Sequence, residues 1–142
     1  MNVENKNAIE KKLVVSGKRK TAVARASISA GKGNVLINKV PYALFNTLQR
    51  LQIEEPIRIA KDFLGNFNFD ISVNVIGGGR ESQIEAARLS IARALVGFTK
   101  SADLKKAFLA YDRNMLIADT RRKEAYKPGD SKARRKRQKS YR

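Results

Sequence analysis

The sequence contains neither cysteine nor histidine. Without cysteine there is no disulfide framework and no thiolate zinc site, a composition that suits a reducing cytosol. Without histidine the commonest general base and the commonest metal ligand are missing, so a Ser-His-Asp triad is impossible. Catalysis would need a pair of carboxylates in a cleft. The nearest pairs in sequence are Glu54 with Glu55 and Glu81 with Glu85. Both pairs fall on predicted helix surfaces beside basic residues, so we expect no enzyme and no cofactor.

Long apolar runs are also missing. No run of the sequence approaches the length that crosses a bilayer. Residues 1–12 are polar and lack the apolar stretch of a signal peptide. No lipidation signal or basic amphipathic helix accompanies the positive charge. We therefore expect a soluble, cytoplasmic protein with no membrane partner.

Acidic residues are few, and basic residues are many. The chain carries 30 Lys and Arg against 13 Asp and Glu, a formal net charge of +17. Residues 121–142 hold eleven of these cations and two acids, a charge of +9, with almost no apolar side chains. Such a segment cannot offset its own ordering entropy with a core. We predict that it is extended and orders against a dense polyanion, of which a nucleic-acid backbone is the usual one.

The charge pattern divides the chain into three predicted parts. Residues 1–12 form a polar N-terminal extension, residues 13–120 a globular α+β RNA-binding domain, and residues 121–142 an extended basic tail. The body carries the remaining +8, so body and tail have the same sign and favour one continuous polyanionic partner. A free-standing nucleic-acid chaperone and an enzyme acting on RNA are the alternative functions.

Alternating apolar residues and short apolar runs predict the strands. The strand segments are residues 12–16, Thr21–Ala30, Val35–Ile37 and Phe67–Val75. In Thr21–Ala30 the alanines favour a helix, but the period of two favours a strand, which we prefer. The Gly31-Lys32-Gly33 turn predicts an antiparallel hairpin between this strand and Val35–Ile37. Gly17-Lys18-Arg19-Lys20 is predicted to be a basic turn.

Helical spacing predicts three helices. Pro41 suits the first turn of one that carries Leu44, Phe45, Leu48 and Leu51, with Pro56 restarting or ending it. A long helix follows with an apolar stripe and a capping box formed by Ser82 and Glu85. The stripe consists of Ile84, Ala87, Ile91, Leu95 and Phe98. A shorter helix is predicted around residues 102–110. Together these elements predict an α+β domain with a mostly antiparallel sheet and helices on one face.

Two turns combine glycine with cations and are candidate phosphate sites. Lys18, Arg19 and Lys20 follow Gly17, and Gly77-Gly78-Gly79 with Arg80 precedes the free N–H groups of a predicted helix. A solvated turn and a plain helix cap are the alternative interpretations. Neither Gly31-Lys32-Gly33 nor Gly77-Gly78-Gly79 matches a Walker motif, and Ser82 stands where a dinucleotide-binding motif would need its third glycine.

Three further arginines lie on predicted elements. Arg25 lies on the polar strand face, where RNA contact and solvation are both open. A helix-surface pair with Glu85, three residues before it, is the ordinary interpretation of Arg88. Arg93 has no acid three or four residues away, so we expect it to be freer to face an external anion.

Short basic and glycine-containing motifs follow one another along nearly the whole chain. They are residues 16–26 (SGKRKTAVARA), Gly31-Lys32-Gly33, Ile37-Asn38, Gly77-Gly78-Gly79 with Gln83, Ala86-Ala87-Arg88, residues 91–95 (IARAL), residues 132–135 (KARR) and residues 138–142 (QKSYR). In this order and spacing they resemble the universal small-subunit ribosomal protein S9 family. The Tyr141-Arg142 ending resembles its archaeal and eukaryotic branch.

The resemblance implies a fold, a location and partners. The fold would be like the second domain of ribosomal protein S5, with a left-handed βαβ crossover. The protein would lie in the head of the small subunit among neighbouring ribosomal proteins, bound to small-subunit ribosomal RNA. Its tail would reach the transfer RNA in the peptidyl site.

Resemblance and charge pattern together select the candidate site residues. Those expected to bind ribosomal RNA are Lys18, Arg19, Lys20, Arg25, Gly77, Gly78, Gly79, Arg80, Arg93, Arg121, Arg122, Lys123, Lys127, Lys132, Arg134, Arg135, Lys136 and Arg137. Those expected to contact transfer RNA at the tip are Lys139, Ser140, Tyr141 and Arg142.

Overall fold

A five-stranded sheet and three α-helices make up the fold in the computed structural model, which describes residues 12–129, 132–135 and 140. The strands are β1 (Leu13–Arg19), β2 (Ala22–Ala30), β3 (Val35–Ile37), β4 (Val40–Pro41) and β5 (Phe69–Ile76). The helices are α1 (Thr47–Leu64), α2 (Arg80–Thr99) and α3 (Ala102–Tyr111). Two short 3-10 helices span Tyr42–Leu44 and Arg113–Met115.

The sheet is mixed, with the strand order β1-β2-β5-β3-β4. β2 pairs antiparallel with β1 and with β5, and β4 pairs antiparallel with β3. β3 runs parallel to β5, with Leu36 opposite Ser72. The prediction of a mostly antiparallel sheet is therefore wrong. A parallel pair needs a long crossover, and here the crossover contains α1.

The predicted hairpin between β2 and β3 does not form, because β5 lies between these strands. Asp70 on β5 explains the separation. Its Oδ1 accepts hydrogen bonds from the backbone N–H groups of Lys32 (3.0 Å), Gly33 (3.1 Å) and Asn34 (2.9 Å). These bonds, that of Asn34 first, hold the pKa of Asp70 below its ordinary value. The glycine turn is thus bound to β5, and it directs β3 to the far side of that strand.

The alternation of side chains assigns the two faces of the sheet. On one face the apolar residues of β2 and β5 are buried beneath α2. They are Ala22, Ala24, Ala26, Ile28, Ile71, Val73 and Val75. The period of two therefore decides the structure of residues 22–30 over the helix propensity of alanine, as predicted. The opposite face carries polar residues such as Ser16, Arg25 and Asn74, which are exposed.

Gly17 lies within β1 and not in a turn, so the predicted basic turn at Gly17–Lys20 is wrong. A Cβ atom at position 17 would lie 2.5 Å from the carbonyl oxygen of Ala86 and 2.8 Å from the amide nitrogen of Ser90. Strand and helix backbones meet here, and only glycine leaves room for that approach. The turn itself follows at Lys20 and Thr21, with a positive φ of 51° at Lys20.

Both prolines of the first helical region differ from their predicted roles. Pro41 ends β4 and caps a 3-10 helix, and α1 begins later, at Thr47, with Asn46 as its N-cap. Pro56 lies buried inside α1, which it neither restarts nor ends. Burial of its ring against the core offsets the lost backbone hydrogen bond. Two of the predicted apolar residues at the start of this region face solvent, although Phe45 between them packs against the core. Leu44 is 76% exposed and Leu48 is 74% exposed.

The long helix α2 carries the predicted stripe but begins earlier than predicted. Ile84, Ala87, Ile91 and Leu95 are buried, and Phe98 packs against the core. The N-cap is Gly79, without a side-chain capping bond, so the predicted capping box of Ser82 and Glu85 is wrong. Ser82 already lies in the first turn.

We predict that Gly17→Ala destabilises the domain by about 1–3 kcal/mol, because the added methyl group would push β1 away from α2. Urea unfolding followed by circular dichroism measures the change. Ser16→Ala is the matched control, since it alters the exposed neighbouring position of the same strand and should leave stability within about 0.5 kcal/mol. Equal stability of the two variants would contradict the close approach.

Candidate nucleic-acid interface

The turn after β1 meets the segment where the predicted tail begins. Arg19 and Lys20 line one open groove of about 340 Å³ together with Arg121, Arg122 and Lys123. Within the described part of the chain, no acidic residue lines this groove. The structure thus joins two of the predicted cationic segments, which lie at opposite ends of the body in sequence. We call these five residues the basic groove.

A carboxylate behind the basic groove holds its two halves together. Asp119 Oδ2 accepts hydrogen bonds from Nε (2.8 Å) and Nη2 (2.6 Å) of Arg121, and Oδ1 accepts one from the Arg121 amide (2.8 Å). The same carboxylate forms an ion pair of 2.7 Å with Nη1 of Arg19. Hydrogen bonds from the Arg121 side chain are the largest cause of a pKa of Asp119 far below its ordinary value. Asp119 is therefore ionised at every pH at which the protein would work.

Arg19 forms a second ion pair, with Glu85 of α2. With its side chain only 17% exposed, it joins β1, α2 and the start of the tail. Two carboxylates already neutralise this guanidinium, so it offers less charge to an external anion than its neighbours Lys18 and Lys20. Both lysines are exposed, and neither has an ion pair with a described residue.

A second ion-pair network adjoins the first, around a polar cavity of about 300 Å³. Arg88 forms ion pairs with Glu55 of α1 (2.5 Å) and with Asp112 after α3 (3.1 Å). The predicted pair of Arg88 with Glu85 is wrong, because tertiary partners replace a surface helix pair of small energy. Cations and acids that line this cavity balance in number, so it is not an anion site. They are Lys18, Arg19, Arg88 and Arg121 against Glu55, Glu85, Asp112 and Asp119.

The Gly77-Gly78-Gly79 turn packs against the β1–β2 turn. Gly77 and Gly78 have φ values of +74° and +71°. Cβ atoms there would lie 2.7 Å from the Thr21 carbonyl oxygen and 2.9 Å from the Ala22 Cβ. Close packing and positive φ values therefore favour glycine at both positions. Gly79 has no such constraint. The contact brings the start of α2, with exposed Arg80, to the same end of the sheet as the basic groove.

Arg25 and Arg93, both predicted to bind RNA, have different environments. Arg25 is exposed on the open face of the sheet, between Ser16 and Asn74 of the neighbouring strands. Arg93 donates hydrogen bonds from Nε to the Leu116 carbonyl oxygen (2.8 Å) and from Nη1 to that of Ser16 (3.0 Å). The expectation that Arg93 is free is therefore wrong. The sequence around Arg93 could not predict these contacts, because their acceptors are backbone carbonyl groups of residues far away in the sequence.

The tail beyond Asp119 is exposed along residues 120–129 and forms no helix or strand there. Lys123 lies over the ring of Tyr126 at 4.5 Å, and Arg134 pairs with Glu124 at 3.1 Å. Lys127, Lys132 and Arg135 are exposed, as is Ser140. The other predicted residues of the tail and its tip lie outside the described part of the chain. They are Lys136, Arg137, Lys139, Tyr141 and Arg142.

Sequence reasoning missed Asp119, which organises the basic groove. Its one signal was an acid two residues before a cationic run. Among the described residues, no cluster of acidic side chains is arranged to hold a metal ion. None of the described helices combines the length and the apolar character that a membrane span requires. The chemistry that remains is binding of anions by exposed lysines and arginines.

Comparisons with known proteins agree with this chemistry. Residues 17–142 match the sequence model of the family described as ribosomal protein S9/S16. Over 129 residues the chain is 43% identical to small ribosomal subunit protein uS9 of Methanococcus vannielii, covering 89% of this chain and 95% of that protein. It is 45% identical to the protein of the same name from Methanococcus maripaludis, with the same coverage.

We predict that Arg93→Gln lowers the free energy of unfolding by about 1–3 kcal/mol, because two carbonyl groups lose a charged donor. Arg25→Gln removes the same charge from an exposed position and should leave stability within about 0.5 kcal/mol. Urea unfolding of both variants measures the difference. Equal stabilities would contradict the structural role of Arg93.

Proposed function

The chain belongs to the ribosomal protein S9/S16 family, and we propose that it binds small-subunit ribosomal RNA mainly through the basic groove and the open face of the sheet beside it. The protein is a structural component of the small ribosomal subunit and works in the cytoplasm as part of the ribosome, not as an enzyme. The observation that carries the proposal is the meeting of five cations, from two distant segments, in one groove.

Charge and geometry support RNA as the ligand of this groove. A net charge of +17 attracts a polyanion over the whole molecule. Arginine forks and lysine ammonium groups suit phosphate oxygens, and such contacts position the protein without reading sequence. Lys18 and Arg25 extend the positive surface from the groove onto the open sheet face. Arg19 and Arg93 serve this interface indirectly, by holding its elements in place.

The finer parts of the proposal follow from the family. We propose that residues 13–120 form the RNA-binding body, with the S5-like left-handed crossover, in the head of the small subunit. We propose that residues 121–142 form a tail that passes through RNA and contacts the peptidyl-site transfer RNA with Lys139, Ser140, Tyr141 and Arg142. Twenty-two extended residues span roughly 70 Å. The body has an expected radius of gyration of about 14 Å, so the tail is long enough for a distant contact.

We predict that affinity for small-subunit ribosomal RNA falls steeply with salt, and that Lys20→Gln lowers the slope of log K against log salt by about 1. Both quantities are measured by filter binding between low and physiological salt. The ligand is small-subunit ribosomal RNA of Methanococcus maripaludis, transcribed in vitro. Lys100→Gln is the control, because Lys100 is equally exposed but lies at the far end of α2. A flat salt response, or equal slopes for the two variants, would remove the electrostatic basis of the proposal.

We predict that removal of Lys139–Arg142 leaves assembly into the small subunit intact but speeds dissociation of transfer RNA from the peptidyl site. The measurement is the dissociation rate from reconstituted subunits. A control variant carrying Lys100→Gln and Lys105→Gln loses the same two side-chain charges from the body. If both variants retain transfer RNA like the wild type, the tip is only a spacer.

A further inference from the structure

The basic groove contains an unexpected element, which is the carboxylate of Asp119 at its back. A negative charge beside a phosphate-binding surface weakens binding by Coulomb repulsion. Yet this carboxylate is the common acceptor for Arg19 on β1 and for Arg121 in the tail. Its side chain is only 14% exposed, so it lies behind the cations and not among the groups that meet solvent. The repulsion it exerts on an external phosphate is therefore smaller than its effect on the two arginines.

We propose that Asp119 is a positioning residue for RNA binding: it joins the start of the tail to β1 and so forms the basic groove before RNA arrives. This inference rests on the proposed function. It assigns a favourable role in RNA binding to an acidic residue. Simple charge counting predicts the opposite, because removal of an acid makes the protein more basic.

The neighbouring contacts show what Asp119 completes. Met115 is fully buried, and the carbonyl group of Leu116 accepts a hydrogen bond from Arg93, so the chain is attached to the body just before this point. Asp119 extends the attachment by three further residues and turns the Arg121 side chain back toward β1. The Asp119 carbonyl group also accepts a hydrogen bond from Arg122 Nη1 at 3.2 Å. The direction in which the tail leaves the body is thus set at one residue.

Two opposing effects decide the sign of the result. Without the carboxylate, the cations of the groove repel one another, and the Arg121 side chain regains conformational freedom that RNA must then remove. Ordering a freed side chain on binding lowers the affinity for RNA, whereas one extra charge near the surface raises it less because salt screens the charge. We therefore expect anchoring to outweigh charge.

The test compares two variants that each raise the net charge by one. Asp119→Asn removes the anchor, and Asp62→Asn removes an exposed acid of α1 without a described partner. Binding to the same ribosomal RNA is measured at physiological salt. We expect about 3- to 10-fold weaker binding for Asp119→Asn, and equal or slightly tighter binding for Asp62→Asn. Binding of Asp119→Asn as tight as that of Asp62→Asn would overturn the inference.

A second readout separates positioning from general stability. Because the chain has no cysteine, Lys127→Cys introduces a single site for a spin label in the tail. We expect faster label motion in free Asp119→Asn than in the free wild type, with similar thermal melting, because Arg19 keeps its ion pair with Glu85. Unchanged label motion would also overturn the inference.

A pair of variants that leaves the net charge unchanged tests the inference if Asp119→Asn does not fold. Arg121→Lys keeps the charge but loses the two-nitrogen contact with Asp119, and Arg58→Lys, on the exposed surface of α1, is its control. Only Arg121→Lys should weaken binding, and equal affinities would overturn the inference. Failure of the wild type to bind RNA in a salt-dependent manner would instead refute the proposed function, so the two failures are distinguishable.

Discussion

Two carboxylates, Glu85 and Asp119, hold one arginine, Arg19, at the point where the sheet, the long helix and the tail meet. A chain of net charge +17 repels itself, and its cations would separate as far as the backbone allows. Glu85 and Asp119 are placed where they hold cationic segments together. This arrangement leaves Lys20 and the cations that follow Asp119 directed outward in a common groove.

The basic residues consequently divide into two groups by environment and not by residue type. Arg19, Arg88 and Arg93 are partly buried and bind carboxylates or backbone carbonyls, so they stabilise the fold. Lys20 and Arg25 are exposed without a described ion pair, so they are available to an external anion. Charge counting treats both groups alike and overestimates the interface. The structural arginines are nevertheless necessary for it, because they fix the elements from which the exposed cations project.

One polar side chain has a comparable influence on the sheet. Asp70 accepts hydrogen bonds from three backbone N–H groups in and just after the Gly31-Lys32-Gly33 turn and so attaches that turn to β5. As a result β5, and not β2, is the partner of β3, and the sheet is mixed. Gly17 acts on the edge strand β1, where the absence of a side chain lets β1 contact α2 directly. From the local sequence alone, each of these residues would be assigned to a turn. The tertiary contacts show that each acts between distant elements instead.

The sequence by itself determined the α+β class, the locations of the main strands and helices, and the family, because periodicity and motif order can be read along the chain without knowing which distant residues meet. It also identified the cationic segments around Lys20 and Arg121. Only the tertiary structure decided that these segments share a groove, that Arg93 is engaged by backbone carbonyls, and that Asp119 joins tail to body. Strand order and ion-pair partners depend on which distant residues meet. That choice is made by the packing of the whole chain, and no local pattern records it.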